Sequence, residues 1–585
     1  MEDCDLSQLD DLTEESILQA VKRRYEQDKI YTNVGDILIA VNPYKDLPLY
    51  DKKNHEEYGW RDFKANLPPH VFQVAARAYS RMRQNQTNQI ILVCGESGSG
   101  KTESTKYMVQ HFMHMCPEES GDLHDRIIKV NPLLESFGNA KTIMNDNSSR
   151  FAKFLELSFR GDGQVIGAMI KDYMLEKCRV VGRSQDCGEG NFHIFYGMLA
   201  GMSQEEKQAL YLRKPESYNI LLGSIDNLRL TQHYAKQYKE NMETLRQIGM
   251  TEADRKVMTC MLAAILHLSQ VEFQETDKNS GELKIVDTEL VEHAAELLDV
   301  DCEALGHALI SSTTIMAGEE IKVFKSLDQA RDGRDALAKH MYERLFGWIV
   351  KKINNNLHPR KKEARKETTE IGVLDIAGFE KLKTNSFEQM CINVVNERLQ
   401  NFMNKVVIIQ EKQIYDSEGI PQDKVEFKDN LDVIQLFELS TIGIWPCLDE
   451  ESKFAQGTDL KFVERLKKTF NKSHALHNLL TFPRGERAEF GVKHFAGVVW
   501  YNCNNILEKN RDSLNKDLEK VMKQSTDDCI ADLFTIKKGD TGTISNTMAN
   551  IRMSRKVPGL GASIRPKTDR GRMLAADLGS TLKDK

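Results

Sequence analysis

The sequence predicts an α/β fold on three observations. Short apolar runs alternate with long helical stretches, a glycine-rich loop sits between one such run and a helix, and the second half holds one helix of roughly thirty residues. Taken in order, Ile17, Leu18, Val21 and Tyr25 recur at helical spacing within Glu14–Glu26, so a helix opens the chain. Residues 37–41 are an apolar run closed by Asn42 and Pro43, which reads as a buried strand and its turn. Residues 89–94 form a second strand, and 103–115 follow the glycine loop with helical periodicity. Strand-like runs return at 154–159, 165–169 and 369–374, between long helical stretches, which implies a largely buried sheet.

From 384 to 418 there is neither glycine nor proline. Asn385 and Glu388 have capping-box spacing, and Phe387, Cys391, Val394, Val395, Leu399, Phe402, Met403 and Val406 make one apolar stripe. At 1.5 Å per residue such a helix reaches about 45 Å. Between 536 and 572, Lys537, Lys538, Arg552, Arg555, Lys556, Arg565, Lys567, Arg570 and Arg572 face only Asp540 and Asp569, which reads as a basic loop.

Composition narrows the class. A chain of 585 residues, 40% hydrophobic and 29% charged, is long enough for several folding units and is not of disordered composition. A net charge of -7 argues against nucleic acid as the main partner. The eleven cysteines fall singly, without Cys-x-x-Cys spacing, as reduced intracellular thiols do. The N-terminal residues are acidic and carry no secretory pattern, and no apolar run is long enough to span a membrane. A cytoplasmic protein is the expectation.

Three segments carry chemistry. Gly95-Glu96-Ser97-Gly98-Ser99-Gly100-Lys101-Thr102 has the Walker A form. Its glycines let successive N–H groups curl around phosphate oxygens, Lys101 is placed to neutralise the β and γ phosphates, and the Thr102 hydroxyl to ligate magnesium. The strand before and helix after supply the context that a plain glycine turn lacks. Asn145-Asp146-Asn147-Ser148-Ser149-Arg150 reads, taken alone, as a polar turn; beside a phosphate loop its serines can complete a magnesium shell and meet a γ-phosphate. Asp375-Ile376-Ala377-Gly378-Phe379-Glu380 ends an apolar strand with an acid, the Walker B layout, and Gly378 can bring its N–H against a γ-phosphate; a strand-ending turn explains it equally well in isolation.

Together and in this order, the three segments resemble the myosin motor family. The resemblance extends to Val41-Asn42-Pro43-Tyr44, Asn131 through Thr142, Asn385 through Asn393, Leu448-Asp449-Glu450-Glu451-Ser452, His494-Phe495-Ala496-Gly497 and Leu507 through Asp512, and so covers nearly the whole chain. It implies a P-loop NTPase of α/β class, with mostly helical upper and lower subdomains around a mixed central sheet, C-terminally incomplete. The implied divisions are 1–125 with adenine loop and P-loop, 126–374 with switch I and the upper subdomain, 375–534 with switch II, relay helix and lower subdomain, 535–573 as basic loop 2, and 574–585 as the start of a further helix.

By that resemblance the chain is an actin-activated Mg-ATPase of the unconventional myosin type, nearest classes III, VII or XV, with ATP and Mg2+ as its ligands. Asn42, Pro43, Lys45 and Tyr50 line the adenine pocket, and residues Gly95 to Thr102 with Glu103 form the phosphate loop. Thr102 and Ser149 hold magnesium, and Asp375 acts on it through water. Lys101, Asn145, Ser148 and Gly378 surround the γ-phosphate, while Arg150 and Glu380 form a bridge that closes the pocket over the attacking water. The long helix resembles the relay helix. F-actin is the implied partner, through 311–328, 445–468 and the basic loop, with Glu319 standing at a position that is acidic or phosphorylatable in the family, so that activation needs no phosphorylation there. A calmodulin-type light chain is not expected, since no Ile-Gln-x-x-x-Arg motif occurs. An actin-cytoskeletal location follows.

Ser99 stands where alanine is usual, Ala152 where glycine is usual, Leu382 where phenylalanine is common, and Lys405-Val406 near where two histidines are common. None of these removes a group expected to touch phosphate. Two other readings stay open: a truncated head that binds actin and nucleotide without completing a cycle, and a kinesin-type motor, against which the Asn42-Pro43 loop and Leu448 to Ser452 speak.

Overall fold

The computed structural model describes residues 5–59, 67–116, 123–182, 188–221, 228–276, 281–316, 319–358, 368–421, 429–454 and 456–536. The basic stretch after Ile536 and the segment 574–585 lie outside these. Two compact units result. The first holds the chain up to Ile376 and takes it up again at Leu514; the second runs from Ala377 to Ser513.

The first unit is built on a mixed four-stranded sheet. Gln89–Val93 runs parallel to Thr368–Asp375, which is antiparallel to Ala152–Arg160, itself antiparallel to Val165–Tyr173. Both faces of the middle strands are covered: Phe154, Leu155, Leu157 and Phe159 are all buried, and so are the charged Lys153 and Glu156. Register decides what the sheet presents. Asp375 is paired with Val93 on one side and Lys153 on the other, so the acidic strand end lies beside the start of the glycine loop. The helices Val71–Asn85, Lys101–Met115, Leu123–Gly138 and Leu327–Leu357 supply the rest of one large core. Helices Lys516–Lys523 and Asp528–Thr535 bury Leu518, Met522, Ile530 and Phe534 in that same core. The compact second unit therefore closes at Ser513, before the boundary at 534 drawn from the sequence.

The expected buried strand at 37–41 is instead one arm of a hairpin, Ile37–Ala40 against Tyr31–Val34. With no sheet stacked over its outer face, Ile37 and Ala40 are exposed. A second hairpin pairs Ser311–Met316 with Glu319–Phe324, and Glu319 lies at its tip opposite Met316.

The second unit is organised by the long helix. Phe387–Asn404, a π-helical segment Lys405–Ile409 and Gln410–Glu418 follow without a break. Its cap differs from the expected one. Ser386 is the N-cap and its N–H donates to Gln389 Oε1 at 3.0 Å. Asn385, one residue earlier, uses its amide to hold the backbone of Leu382 and Trp500, and Glu388 pairs with Lys509 at 2.8 Å. Of the expected stripe, Phe387, Val394, Val395 and Leu399 are buried and Cys391 half-buried; none of the side chains from Lys405 to Glu418 is buried. The π segment falls at Lys405-Val406, where the helix leaves its packed half. Helices Leu431–Glu438, Ile444–Lys453 and Asp459–Thr469 and the three-stranded sheet Leu480–Thr481, Glu489–His494, Gly497–Asn502 close a separate core around Trp445, Phe437, Phe462 and Phe490.

No disulfide joins the described cysteines. Among the described residues, no helix is long and apolar enough to cross a membrane.

Candidate functional site

In the first unit the glycine loop leaves the strand at Val93 and enters the helix at Lys101. Gly95, Gly98 and Gly100 have φ of 151°, 80° and 90°, backbone that only glycine adopts cheaply. Gly100 is the helix N-cap and offers no side-chain acceptor, so the first-turn N–H groups remain available to an anion. Lys101 folds back across the loop, donating from Nζ to the carbonyls of Gly95 (3.0 Å) and Glu96 (2.7 Å). Its ammonium thus already lies at the loop mouth. Glu103, one turn on, pairs outward with Lys106 at 2.7 Å, and Lys106 reaches Glu135 at 2.8 Å.

Asn42 braces the loop from outside, donating from Nδ2 to Gly98 O at 2.7 Å while its Oδ1 accepts from Tyr44 N–H. Pro43 lies between them in the turn. The other two expected adenine residues are already engaged. Lys45 pairs with Asp28 at 2.5 Å in a half-exposed position. Tyr50 stacks on Tyr107, ring centres 3.4 Å apart, and shares a hydroxyl hydrogen bond with Tyr31.

The segment Asn145 to Arg150 is shaped by local hydrogen bonds. Asn145 Oδ1 accepts from Asn147 N–H, and Thr142 closes the turn through the backbone of Asn145. Asn147 is itself held by Asn139 and His193. Ser148–Ser149 then pair as a short strand with Asn139–Ala140. Gly138 precedes this pair because a Cβ there would lie 2.3 Å from the Phe151 ring. Ser149 Oγ donates to Phe151 O at 3.0 Å, which leaves the lone pairs of the hydroxyl oxygen for a metal.

Arg150 is buried and donates from Nε to Glu176 at 2.6 Å and from Nη1 to Ser148 Oγ at 3.2 Å. Arg179 joins Glu176 from the other side at 2.8 Å. Burial works against the Glu176 charge, but the two guanidiniums outweigh it and hold the carboxyl down at about 2.

Asp375 completes this set. Its Oδ1 accepts from Thr102 Oγ1 at 3.4 Å and its Oδ2 faces Lys153 Nζ at 3.4 Å, with Asp375 and Lys153 both buried. Hydroxyl and carboxylate oxygens are the donors magnesium prefers, and it typically takes only one or two from protein, with phosphate and water supplying the rest. The donor set therefore fits magnesium.

The remaining candidates, Gly378 and Glu380, belong to the second unit. Glu380 is buried and held at its backbone on both sides: its N–H donates to Asn393 Oδ1 and its C=O accepts from Asn393 Nδ2, each at 2.8 Å. Gln389 Nε2 donates to its carboxylate at 3.1 Å. Asn396 Nδ2 donates to Ala377 O at 3.1 Å, just before Gly378.

Sequence reasoning missed Lys153, Glu176, Gln389, Asn393 and Asn396. A signal existed for most of them. Lys153 is a charged residue at the start of a strand with Phe154, Leu155, Leu157 and Phe159, and Gln389, Asn393 and Asn396 are amides spaced four and three apart along a helix whose other residues there are apolar. Glu176, in an irregular stretch after a strand, offered none.

A family model described as the myosin head (motor domain) matches residues 3–572. The chain is 38% identical over 552 residues to unconventional myosin-VIIb of Mus musculus, which covers 94% of this chain and 26% of that protein. It is 37% identical over 580 residues to myosin-IIIb of Mus musculus, covering 97% of this chain and 43% of the relative. To the myosin-I heavy chain of Dictyostelium discoideum it is 38% identical over 545 residues, 91% of this chain and 22% of the relative. The chain thus spans less than half the length of each of these relatives.

Proposed function

The chain belongs to the myosin head (motor domain) family, and from that premise we propose that it is an actin-activated Mg-ATPase of an unconventional myosin, coupling ATP binding and hydrolysis to binding and release of actin filaments. The observation that carries this reading is the junction of strand, glycine loop and helix, at which Lys101 lies over the loop and Thr102 meets Asp375 at the end of the neighbouring parallel strand.

In this reading the N–H groups of Gly95 to Thr102 and the Lys101 ammonium take the phosphates of ATP. On arrival of the nucleotide, Lys101 exchanges its two neutral carbonyl acceptors for anionic phosphate oxygens, so that charge meets charge. Thr102 and Ser149 would hold Mg2+, with Asp375 acting through water, and the ion would supply neutralisation of phosphate charge. Asn145, Ser148 and the Gly378 N–H position the γ-phosphate and the attacking water. Arg150 and Glu380 close the pocket by pairing, and positioning with charge neutralisation supplies most of the acceleration. Asn42, Pro43, Lys45 and Tyr50 receive the adenine. Actin meets the hairpin that carries Glu319, the helices Ile444–Lys453 and Asp459–Thr469, and the basic loop, placing the protein in the cytoplasm on the actin cytoskeleton.

Steady-state ATP hydrolysis with and without actin filaments tests the proposal. Stimulation by filaments is expected; a chain that hydrolyses ATP at the same rate with and without them is not an actin-activated ATPase.

A further inference from the structure

A chain of hydrogen bonds starts at Glu380 and runs away from it into the second unit. Asn393, after gripping both backbone groups of Glu380, donates from Nδ2 to the hydroxyl of Tyr501 at 2.9 Å. Tyr501 is joined to His494 Nε2 at 2.7 Å, and His494 Nδ1 to Glu397 Oε1 at 3.1 Å. Glu397 is fixed in turn by Phe495 N–H at 2.6 Å and by Asn430 Nδ2 at 2.5 Å. Asn393, Glu397 and Tyr501 are 0–1% exposed and His494 4%, so each link is made with little competition from water.

The chain has a direction. A carboxylate only accepts, so His494 places its proton on Nδ1, and in the neutral ring Nε2 is then the acceptor for the Tyr501 hydroxyl. Burial pushes the Tyr501 phenol far above its ordinary range, so that hydroxyl keeps the proton it donates. With its proton committed to His494, the Tyr501 oxygen presents lone pairs to Asn393 Nδ2. This is the orientation that Glu380 itself requires of the Asn393 amide, Oδ1 to its N–H and Nδ2 to its C=O. Tyr501 takes the second Nδ2 proton and so anchors the amide from the far side. Glu397 and Asn393 stand one helical turn apart, so the two ends of the chain rest on the same helix, and the strands Glu489–His494 and Gly497–Asn502 supply the middle.

We infer that Tyr501 and His494 are positioning residues for ATP cleavage, acting through Asn393 to hold the Glu380 segment in the geometry that the hydrolytic step requires. This rests on the ATPase reading above and deepens it.

The test compares Tyr501→Phe, His494→Gln and His494→Asn with the full wild-type chain, measuring nucleotide affinity with a fluorescent ATP analogue and cleavage by rapid quench. Tyr501→Phe is expected to leave affinity within about twofold and to slow cleavage about tenfold, the cost of one buried hydrogen bond removed. Glutamine reproduces a polar atom at the Nε2 position of histidine and asparagine does not, so cleavage should fall in the order wild type, His494→Gln, His494→Asn. Val499→Ala, a buried apolar truncation on the same strand, should lower thermal stability and leave cleavage unchanged. The inference is overturned if Tyr501→Phe cleaves at the wild-type rate, if both histidine variants do, or if Val499→Ala slows cleavage as much as Tyr501→Phe. A wild-type chain that binds ATP without cleaving it sinks the ATPase reading, and this inference with it; that outcome appears in the wild-type arm alone.

Discussion

The two units hold their candidate residues by opposite means. In the first, charge meets charge: Glu176 lies between Arg150 and Arg179, and Asp375 faces Lys153. In the second, Glu380 is held by neutral amides, Gln389 and Asn393, with Tyr501 and His494 behind them. Coulomb attraction is strong but tolerant of angle, and it suits groups that must balance the charge of a triphosphate. Neutral hydrogen bonds are weaker and more directional, and suit a segment whose task is placement. The difference predicts that breaking the first set costs more stability per substitution, while breaking the second shows mainly in the catalytic step.

The largest effect expected is from Glu176→Gln. Removing one anion leaves Arg150 buried without its carboxylate, and stripping one partner from a buried pair costs about 3–5 kcal/mol. Denaturant unfolding should show a fall of that size at pH 7; a change below about 1 kcal/mol would mean the comparison is wrong. The same carboxyl defines an acid limit. Its folded-state value is depressed from 4.5 to about 2, so its contribution is complete above pH 4.5 and is lost as pH falls toward 2. The wild-type should therefore lose stability across that window, and Glu176→Gln should show less of that loss.

Next in size, Lys101→Met should reduce ATP cleavage by roughly 10²–10³-fold, the usual cost of one donor aimed at developing charge. The two bonds lost, to the carbonyls of Gly95 and Glu96, are exposed to solvent, so the melting temperature should change little. A comparable loss of stability would place Lys101 among structural residues instead.

Asn393→Leu strikes the neutral set. It leaves the N–H and C=O of Glu380 and the Tyr501 hydroxyl short of a partner, at about 1–3 kcal/mol for each buried group left unsatisfied. If it costs as much per lost partner as Glu176→Gln, the contrast between the units disappears.

These contrasts were unevenly legible in the sequence. The glycine loop could be read because its residues are dictated by backbone conformation, and the acidic end of Thr368–Asp375 because a strand's apolar run is a local pattern. Partnerships made across the fold were not. Nothing near Arg150 marks Glu176, twenty-six residues on, as its partner. The capping box was misplaced by one residue because Asn385 and Ser386 are both good caps, and only the tertiary demand of Leu382 and Trp500 decides which is left free for the helix. The run at 37–41 was read as buried because periodicity cannot say whether a second sheet will cover it.

The smallest effect expected lies in mild acid and belongs to the first unit. His55, His70 and His111 gather around Phe72; His111 stacks on Phe72 at 4.3 Å and His55 at 4.2 Å. Burial, and then neighbouring histidines, hold His111 down at about 3 and His55 and His70 at about 4; His114 adds to the depression, and Asp51 opposes it at His55. Their hydrogen bonds also demand neutral rings. His70 Nδ1 accepts from Phe72 N–H as the cap of Val71–Asn85, and His55 and His111 face each other through Nδ1 at 2.9 Å, where only one proton fits. Since the folded values lie below the ordinary 6.5, the unfolded chain binds more protons, and stability falls as pH drops from 6.5 toward 4. Thermal unfolding at pH 7.5 and 5.5 should show the melting temperature drop by a few degrees. His111→Phe keeps the stacking on Phe72 and removes one titrating ring, so its melting temperature should depend less steeply on pH. An unchanged slope in that variant would show that this cluster is not what makes the first unit sensitive to acid.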